Sequence, residues 1–391
     1  MDDFDVIVIG GGIAGVSIGY ELAARGSRVC LLEMESTLAY HTTGRSAATW
    51  IGTYGNGPVR ALTAASHDFL LDPPEDLYDD ALTKPLIVLH VAPHGYTPAL
   101  RELHDDVVGL TPQATLITAE QAAELVPILR EDWVEAALIE PGALEVDVAL
   151  LHQGYKRGLK ALGGEIRTLA KVDGAERTPD GRWRVTASVG QEFTTTYVVN
   201  AAGAWADEVA KLFGAQPLGL EPRLRSVFMV GAPAGETVDP HLPMVISIDV
   251  ENPFYFKADA GQYLCSPADV TPTTPRDAKH DELEIARAID AINEATTMGI
   301  RGIRTPWGGL RTFAPDGSPV IGHDPEVDRF FWYAGQGGYG IQMGPAAARL
   351  GVALLLGHEV PADIVATGFD AGSVSPARLH PHAPPPTSPP A

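Results

Sequence analysis

One stretch limits what this chain can fold into more than any other, the run from Val6 to Glu33. Val6-Ile7-Val8-Ile9 is an apolar run that breaks into Gly10-Gly11-Gly12-Ile13-Ala14-Gly15. A helical pattern follows to Gly26, and a second apolar run, Val29-Cys30-Leu31-Leu32, ends in Glu33. The order is strand, glycine turn, helix, strand, with an acid at the tip of the second strand. Gly10 permits the tight turn, Gly12 lets the backbone approach a pyrophosphate, and Gly15 lets the helix pack close to the sheet. The helix N-terminus presents free N–H groups and the positive end of a dipole to phosphates. Glu33 is placed to accept hydrogen bonds from an adenosine ribose. A glycine motif alone says little, but strands, helix and acid all agree on a dinucleotide site.

The rest of the chain extends this start into an α/β protein. At 391 residues it can bury a large core and form two domains. Helices are expected over 59–71, 119–125, 147–162 (with Asp147 as N-cap), 279–298 and from Ala346 to Leu356. Strands are expected at Leu86–Leu89, in a hairpin-rich segment over 166–199, and in a β-rich segment over 220–265 that contains Arg225–Val230, Met244–Ile248, Phe254–Lys257 and Tyr263–Cys265. A last strand runs from Phe330 to Ala334. Asn200-Ala201-Ala202-Gly203-Ala204-Trp205 repeats the strand-to-glycine-to-helix transition. The alternation suggests an interleaved architecture. One domain takes 1–56, 143–215 and 306–372; a β-rich one takes 57–142 and 216–305, and pockets fall between them. Residues 373–391 are Pro-, Ala- and His-rich and read as a disordered tail, in which His380 and His382 reflect composition and not metal binding; no metal site is expected.

Charge and cysteine usage exclude some classes. A net charge of −22 argues against nucleic acid and against anionic membrane surfaces. Cys30 and Cys265 cannot make a disulfide framework. With an acidic N-terminus and no long apolar run, this points to a cytoplasmic protein without a transmembrane segment, peripheral attachment at the inner membrane staying open for electron transfer.

Several motifs, in order, resemble the D-amino-acid oxidase superfamily of FAD enzymes. They are the glycine turn, Gly44-Arg45-Ser46-Ala47-Ala48, Val199–Trp205, Pro315-Asp316-Gly317-Ser318-Pro319-Val320-Ile321-Gly322 and Gly335–Gly340. His41–Ala48, Val59–Ser66, Leu151–Tyr155, Pro217–Leu220, Phe331-Trp332 and Gln336–Gln342 are similar to the bacterial D-arginine dehydrogenase branch. The resemblance covers residues 5 to about 370. It implies a Rossmann-like FAD-binding domain interleaved with a β-rich substrate domain. It also implies FAD on the glycine turn from Gly10 through Gly12, Ile13, Ala14 and Gly15 to Glu33, with the pyrophosphate on Gly12 and Ile13. Arg45, Ser46, Ala47 and Ala48 would support the pyrophosphate and ring region. Val172 would contact the adenine through its backbone, and Gly203 would lie near the cofactor. Gly337, Gly338, Tyr339, Gly340, Ile341 and Gln342 would border the isoalloxazine. Relatives that attach the flavin covalently use a cysteine late in the chain; none follows Cys265, so FAD is expected to be non-covalent.

For the reaction, the resemblance implies oxidative deamination: hydride passes from Cα to flavin N5, and the imino acid hydrolyses to a 2-oxo acid and ammonia. Arg225 and Arg311 match substrate-carboxylate arginines, Arg223 shares the strand parity of Arg225, and Tyr54 and Tyr255 match pocket tyrosines; with Gln342 these are the candidate catalytic residues. Thr49, Ile51, Leu86 and Gly338 would line the substrate pocket. Leu86 stands where the D-arginine branch has an acid for the guanidinium, and Ile51 makes the loop more apolar. Burying a guanidinium without an acid is costly. The expected substrates are therefore hydrophobic D-amino acids over D-arginine, with a quinone, another carrier or O₂ taking the electrons. His41 and His323 are expected to be structural. Two alternatives stay open: an amine or N-methyl amino-acid oxidase of the sarcosine or glycine oxidase kind that makes hydrogen peroxide, and a flavoprotein that is a non-catalytic or partner subunit. A nicotinamide enzyme is disfavoured, because it has no use for Gly337-Gly338 or the Arg45 loop.

Overall fold

The computed structural model describes residues 2–233 and 235–380; His382 lies outside them. The elements, in chain order, begin with β1 (Asp2–Ile9), α1 (Ile13–Ala24), β2 (Val29–Leu32), β3 (Thr49–Trp50), α2 (Gly57–Ala65), α3 (His67–Leu71), β4 (Thr83–Pro93), α4 (Thr97–Val107), β5 (Thr115–Thr118), α5 (Ala119–Leu125), β6 (Val134–Val146) and α6 (Val148–Ala161). There follow β7 (Glu165–Arg167), β8 (Val172–Arg177), β9 (Trp183–Ala187), β10 (Gln191–Asn200), α7 (Ala206–Leu212), β11 (Glu221–Val230), β12 (Met244–Ser247), β13 (Tyr255–Asp259), β14 (Gln262–Ser266), β15 (Thr271–Pro272) and α8 (Glu282–Ala295). Then come β16 (Pro306–Phe313), β17 (Val320–His323), β18 (Phe330–Ala334), β19 (Gln336–Gly337), α9 (Gly340–Leu356) and α10 (Ala362–Ala366).

The strands form two sheets. The first has the order β17-β18-β10-β1-β2-β7, with the β8–β9 hairpin joined to it through β10. Its centre is parallel: β1 lies between β10 and β2. Strands buried on both faces read as continuous apolar runs, as Val6–Ile9 and Val29–Leu32 do. Val6, Val8, Val29 and Leu31 pack with residues of α1, α6 and α9, while Ile7, Ile9, Cys30 and Leu32 pack with residues of β8, β9 and α7. The second sheet has the order β19-β16-β11-β14-β13-β12-β4-β6-β3, with β15 on β11 and β5 on β6. Phe228, Phe254 and Phe256 on one face pack with Ile285, Ala288 and Ile292 of α8. Val227, Met229, Met244, Tyr255 and Leu264 form a separate apolar cluster on the other face. Sheet membership crosses the segment boundaries expected from the sequence, since β3, β16 and β19 all join the second sheet.

Most expected elements are present, with instructive shifts. The expected helix over 59–71 is two helices that meet at Ser66. The Ser66 hydroxyl donates to the Leu62 carbonyl and accepts the Ala346 N–H. The final helix starts at Gly340, not Ala346, and runs through Pro345. Proline removes one backbone donor, and the next N–H, that of Ala346, donates to the Ser66 hydroxyl. The expected helix over 279–298 shortens to Glu282–Ala295, capped by Asp281. Residues 373–380 of the expected disordered tail lie in short 3-10 turns, with Val374 and Pro376 buried. Arg378 forks onto Asp316 at 2.7 and 3.0 Å, and this ion pair holds the segment down. No helix among the described residues is long and apolar enough to cross a membrane.

Candidate active site

A cavity of ≈ 480 Å³ is lined by residues of both sheets. It begins at the glycine turn. Gly10 has φ +111°, a conformation open to glycine, and a Cβ there would lie 2.4 Å from the Ala201 carbonyl oxygen. A Cβ on Gly15 would lie 1.8 Å from the Gly10 carbonyl oxygen, so the helix meets its own turn at backbone contact. A Cβ on Gly12, by contrast, would meet only the Thr43 hydroxyl, at 3.1 Å. Gly15 therefore stands behind the turn, while Gly10, Gly12, Ile13 and Ala14 line the cavity.

The turn is fastened by residues far away in sequence. Glu33 lines the cavity, and its two carboxylate oxygens accept the backbone N–H groups of Gly11 and Glu35 at 2.7 and 2.8 Å. Each oxygen keeps a second lone pair for a ribose hydroxyl. His152 on α6 lies 3.0 Å from the Gly11 carbonyl, and burial pushes its pKa down, which keeps the ring neutral. The Ile13 N–H, expected to be free for a phosphate, donates to the Thr43 hydroxyl at 2.9 Å. That leaves the Thr43 O–H at the pyrophosphate position. Thr43 was visible in the sequence only as part of a small polar loop.

Arg45 needs the clearest correction. It lines the cavity, but four of its five guanidinium N–H groups go to protein. It donates to the carbonyls of Tyr40, Ala278 and Gly308 and pairs with Asp277 at 2.5 Å. Arg45 thus clasps the loop after β2 to the second sheet. Ser46, Ala47, Val172, Gly203, Gly337, Gly338, Gly340 and Ile341 line the cavity as expected. Ala48 does not; it sits at φ +64° and its carbonyl accepts the Val146 N–H. His41 lines the cavity with its Nδ1 buried and unpartnered, while Nε2 faces Glu35 at 3.0 Å. His323, on β17, is exposed.

The other end of the cavity is cationic. β11 and β16 pair antiparallel, with Arg223 opposite Arg311 and Arg225 opposite Gly309. Arg225 and Arg311 thereby share one face and one cavity with Tyr255 of β13. Arg225 Nε donates to the Asp269 carbonyl at 2.7 Å, and the Asp269 carboxylate stands 3.7 Å away. Among the described residues Arg311 has no ion pair; its Nη1 donates to the Tyr54 hydroxyl at 3.3 Å. Burial lowers the Arg225 pKa, and the Arg311 charge lowers it further. The Tyr54 side chain is partly exposed; desolvation of its hydroxyl among the surrounding groups would raise the phenol, but Arg311 and Arg225 outweigh it and hold its pKa below the ordinary value. The Tyr255 hydroxyl is buried without a partner. Arg223 is not in the cavity wall; it pairs with Glu221 at 2.6 Å.

Some expected site residues stand one layer back. Gln342 is buried outside the cavity wall, and its amide donates to the Tyr54 carbonyl and the Thr63 hydroxyl at 3.2 and 2.9 Å. Its geometry is that of a support for Tyr54. Tyr339 meets the Tyr54 ring edge-on at 4.9 Å. Thr49 pairs with Glu145 across β3 and β6. Ile51 and Leu86, expected in the pocket wall, lie behind it in the apolar cluster that contains Tyr255.

These residues fit FAD. The glycine cradle is open where Gly12 and Gly203 face the cavity, and a Cβ on Gly203 would meet nothing within 4 Å. The unpartnered atoms of His41 and Tyr255 offer polar contacts to a ligand at the cavity wall. The family model described as "FAD dependent oxidoreductase" (DAO) matches residues 5–354. The mitochondrial dimethylglycine dehydrogenase of Mus musculus is 26% identical over 93% of this chain, which spans only 44% of that relative's length. Glycine oxidase of Bacillus licheniformis is 25% identical, covering 91% of this chain and 94% of that protein. The crystal structure of glycine oxidase from Geobacillus kaustophilus superposes with a TM-score of 0.81 at 22% identity, covering 98% of this chain and 100% of that one. The FAD-bound L-α-glycerophosphate oxidase of Mycoplasma pneumoniae gives 0.82 at 19% identity, over 91% and 95% of the two chains. The chain belongs to the DAO family of FAD-dependent oxidoreductases, and FAD is its cofactor.

Proposed function

We propose that this protein oxidises the Cα–N bond of D-amino acids, favouring apolar side chains. The observation that carries this reading is Arg225 and Arg311 side by side in one cavity, with no carboxylate on Arg311. A buried guanidinium, that of Arg225, beside a half-buried one, that of Arg311, calls for an anion, and an amino-acid carboxylate accepts the bidentate fork that arginine offers. The Tyr54 and Tyr255 hydroxyls add donors to the same carboxylate. Ala47, Val227 and the Tyr255 ring supply apolar surface for a side chain at the cavity wall, backed by Ile51, Leu86, Met229, Met244 and Leu264.

Bound FAD supplies the two-electron acceptor for the Cα hydride. The protein's own residues bind and orient. The arginines hold the carboxylate so that Cα has one approach to the ring, a positioning effect that lowers the barrier without a dedicated base. The amine loses its proton, a C=N bond forms, and water converts the imino acid to a 2-oxo acid and ammonia. FAD is held non-covalently in this reading. Neither Cys30 nor Cys265 lines the cavity, and burial pushes the Cys30 thiol up to about 12. We further propose that the two interleaved units divide the work, the first sheet carrying the cofactor and the second the substrate, in the cytoplasm.

Anaerobic flavin bleaching across D- and L-leucine, methionine, phenylalanine, arginine and lysine, with glycine and N-methylglycine, tests the reading. Apolar D-amino acids are expected to bleach the flavin fastest. D-Arginine ahead by tenfold would overturn the apolar preference. The glycine oxidase and dimethylglycine dehydrogenase relatives support a second reading, a small or N-methylated amine substrate; bleaching fastest with glycine or N-methylglycine would establish it. Hydrogen peroxide formed per turnover in air distinguishes O₂ from a quinone or other carrier as acceptor.

A pH dependence follows from Tyr54. Its phenol ionises below the ordinary value of about 10. As pH rises through that pKa, the phenolate neutralises Arg311 and repels a carboxylate, so affinity for a plain carboxylate such as benzoate is expected to fall. Tyr54→Phe is expected to bind benzoate more weakly at pH 7 and to lose this alkaline limb. An unchanged limb in Tyr54→Phe would remove Tyr54 from the explanation.

A further inference from the structure

The turn that carries Tyr54 is packed at its start, where Ile51 is buried, and tethered by hydrogen bonds at Thr53 and Tyr54. It runs over residues 51–56, between β3 and α2. Trp50, Gly52 and Arg60 line a second cavity of ≈ 250 Å³ beside it, together with Glu140. A packed core fixes a loop through many contacts, whereas a void supplies none. Ile51 packs in the core, and on the side of the cleft polar tethers fix Thr53 and Tyr54. The Thr53 hydroxyl donates to Glu140 Oε1 at 2.5 Å, Arg60 Nε donates to the Thr53 carbonyl at 2.6 Å, and Gln342 Nε2 donates to the Tyr54 carbonyl at 3.2 Å.

Glu140 is the unusual member of this set. It sits on β6 opposite Val88, its side chain is 3% exposed, and its second oxygen faces His90 Nε2 at 3.3 Å. A buried carboxylate is costly unless its oxygens are paired. Glu140, His90 and Thr53 consequently hold one another in place. Thr53 is the residue before Tyr54, whose hydroxyl meets Arg311.

We propose that Glu140, braced by His90, is a positioning residue for carboxylate binding: through Thr53 it holds the Tyr54 hydroxyl against Arg311. This rests on the reading of Arg311 as a carboxylate anchor. Glu140 touches neither Arg311 nor the main cavity wall, so its effect passes through the turn.

Three variants of the flavin-loaded enzyme test the proposal: Thr53→Val, which removes the donor, Thr53→Ser, which keeps it, and Glu140→Gln. Benzoate affinity is read from its perturbation of the flavin absorption band, and KM and kcat are measured with the best substrate of the bleaching panel. Thr53→Val is expected to weaken benzoate and raise KM about tenfold, the equivalent of one hydrogen bond, with kcat within twofold. Thr53→Ser is expected to restore both to within twofold of wild type, and Glu140→Gln, whose amide oxygen still accepts the Thr53 O–H, to stay within threefold of wild type. If Glu140→Gln loses flavin on purification, the Thr53 pair decides. Equal benzoate affinity in wild type and Thr53→Val would overturn the positioning role while leaving Arg311 in place. No benzoate binding by wild type, together with an unchanged KM in Arg311→Met, would overturn the anchor reading and the positioning role with it.

Discussion

Arg311→Met is expected to raise the KM for an amino-acid substrate by roughly 30- to 160-fold while leaving the protein yellow. The magnitude is that of truncating one partner of a buried charged contact, about 2–3 kcal/mol. Arg311 is the stronger of the two arginines because less of it is engaged. Arg225 gives its Nε to the Asp269 carbonyl and has a carboxylate 3.7 Å away, whereas Arg311 has only the Tyr54 hydroxyl. Arg311→Lys is expected to recover less than a tenth of the loss, since an ammonium is a point charge without the planar fork. The control is an amine of similar shape that lacks the carboxylate. Its kinetics should change by no more than threefold, so the preference for the amino acid collapses in the variant. A change in KM of less than threefold for the amino acid would mean that the carboxylate is held elsewhere.

The glycine turn is expected to separate folding from cofactor binding. Gly15→Ala places a Cβ 1.8 Å from the Gly10 carbonyl oxygen, a backbone atom that cannot swing aside. Overpacking of this kind costs about 1–3 kcal/mol or more, and here it pushes α1 off the turn that it terminates. The variant is expected to purify colourless with a lowered apoprotein Tm. Gly12→Ala meets only the Thr43 hydroxyl, at 3.1 Å, so its apoprotein Tm should match wild type within a few degrees. Its FAD affinity, followed by quenching of flavin fluorescence on titration of the apoprotein, is expected to fall at least tenfold, because the new methyl group points into the cofactor's space. Retention of full flavin by Gly15→Ala would show that the turn is softer than its geometry.

The two sets of residues differ in how they could be read. The glycine turn is a local code. Gly10, Gly12 and Gly15 lie within one turn and the start of one helix, and each spacing states a backbone requirement, a positive φ at Gly10 or contact at Gly15. Helix ends were legible for the same reason where the cap is local, as at Asp147, whose carboxylate accepts the Leu150 N–H at 2.8 Å. Legibility failed where a distant partner overrode the local signal. Pro345 reads as a boundary, but the Ser66 hydroxyl accepts the Ala346 N–H and lets the helix pass. The tail reads as disordered, but the Arg378–Asp316 pair folds its first part back onto the protein.

The sequence by itself determined the dinucleotide-binding βαβ unit, because backbone conformation belongs to each residue; the candidate arginines, tyrosines and Leu86 were singled out by the family resemblance. Only the tertiary structure decided what those residues do together. The β11–β16 register put Arg225 and Arg311 on one face. Arg45, read as a cofactor residue, lines the cavity and also clasps its loop to the second sheet, because Asp277 and three carbonyls take its side chain. Gln342, read as catalytic, became a brace because its helix turns the amide toward Tyr54 and Thr63. Glu140 and His90 carried no signal in the sequence, since a carboxylate on one strand and an imidazole on another acquire meaning only when pairing brings them within 3.3 Å. Hydrogen bonds act over such distances and no further, so the partner of each polar group is settled by the fold.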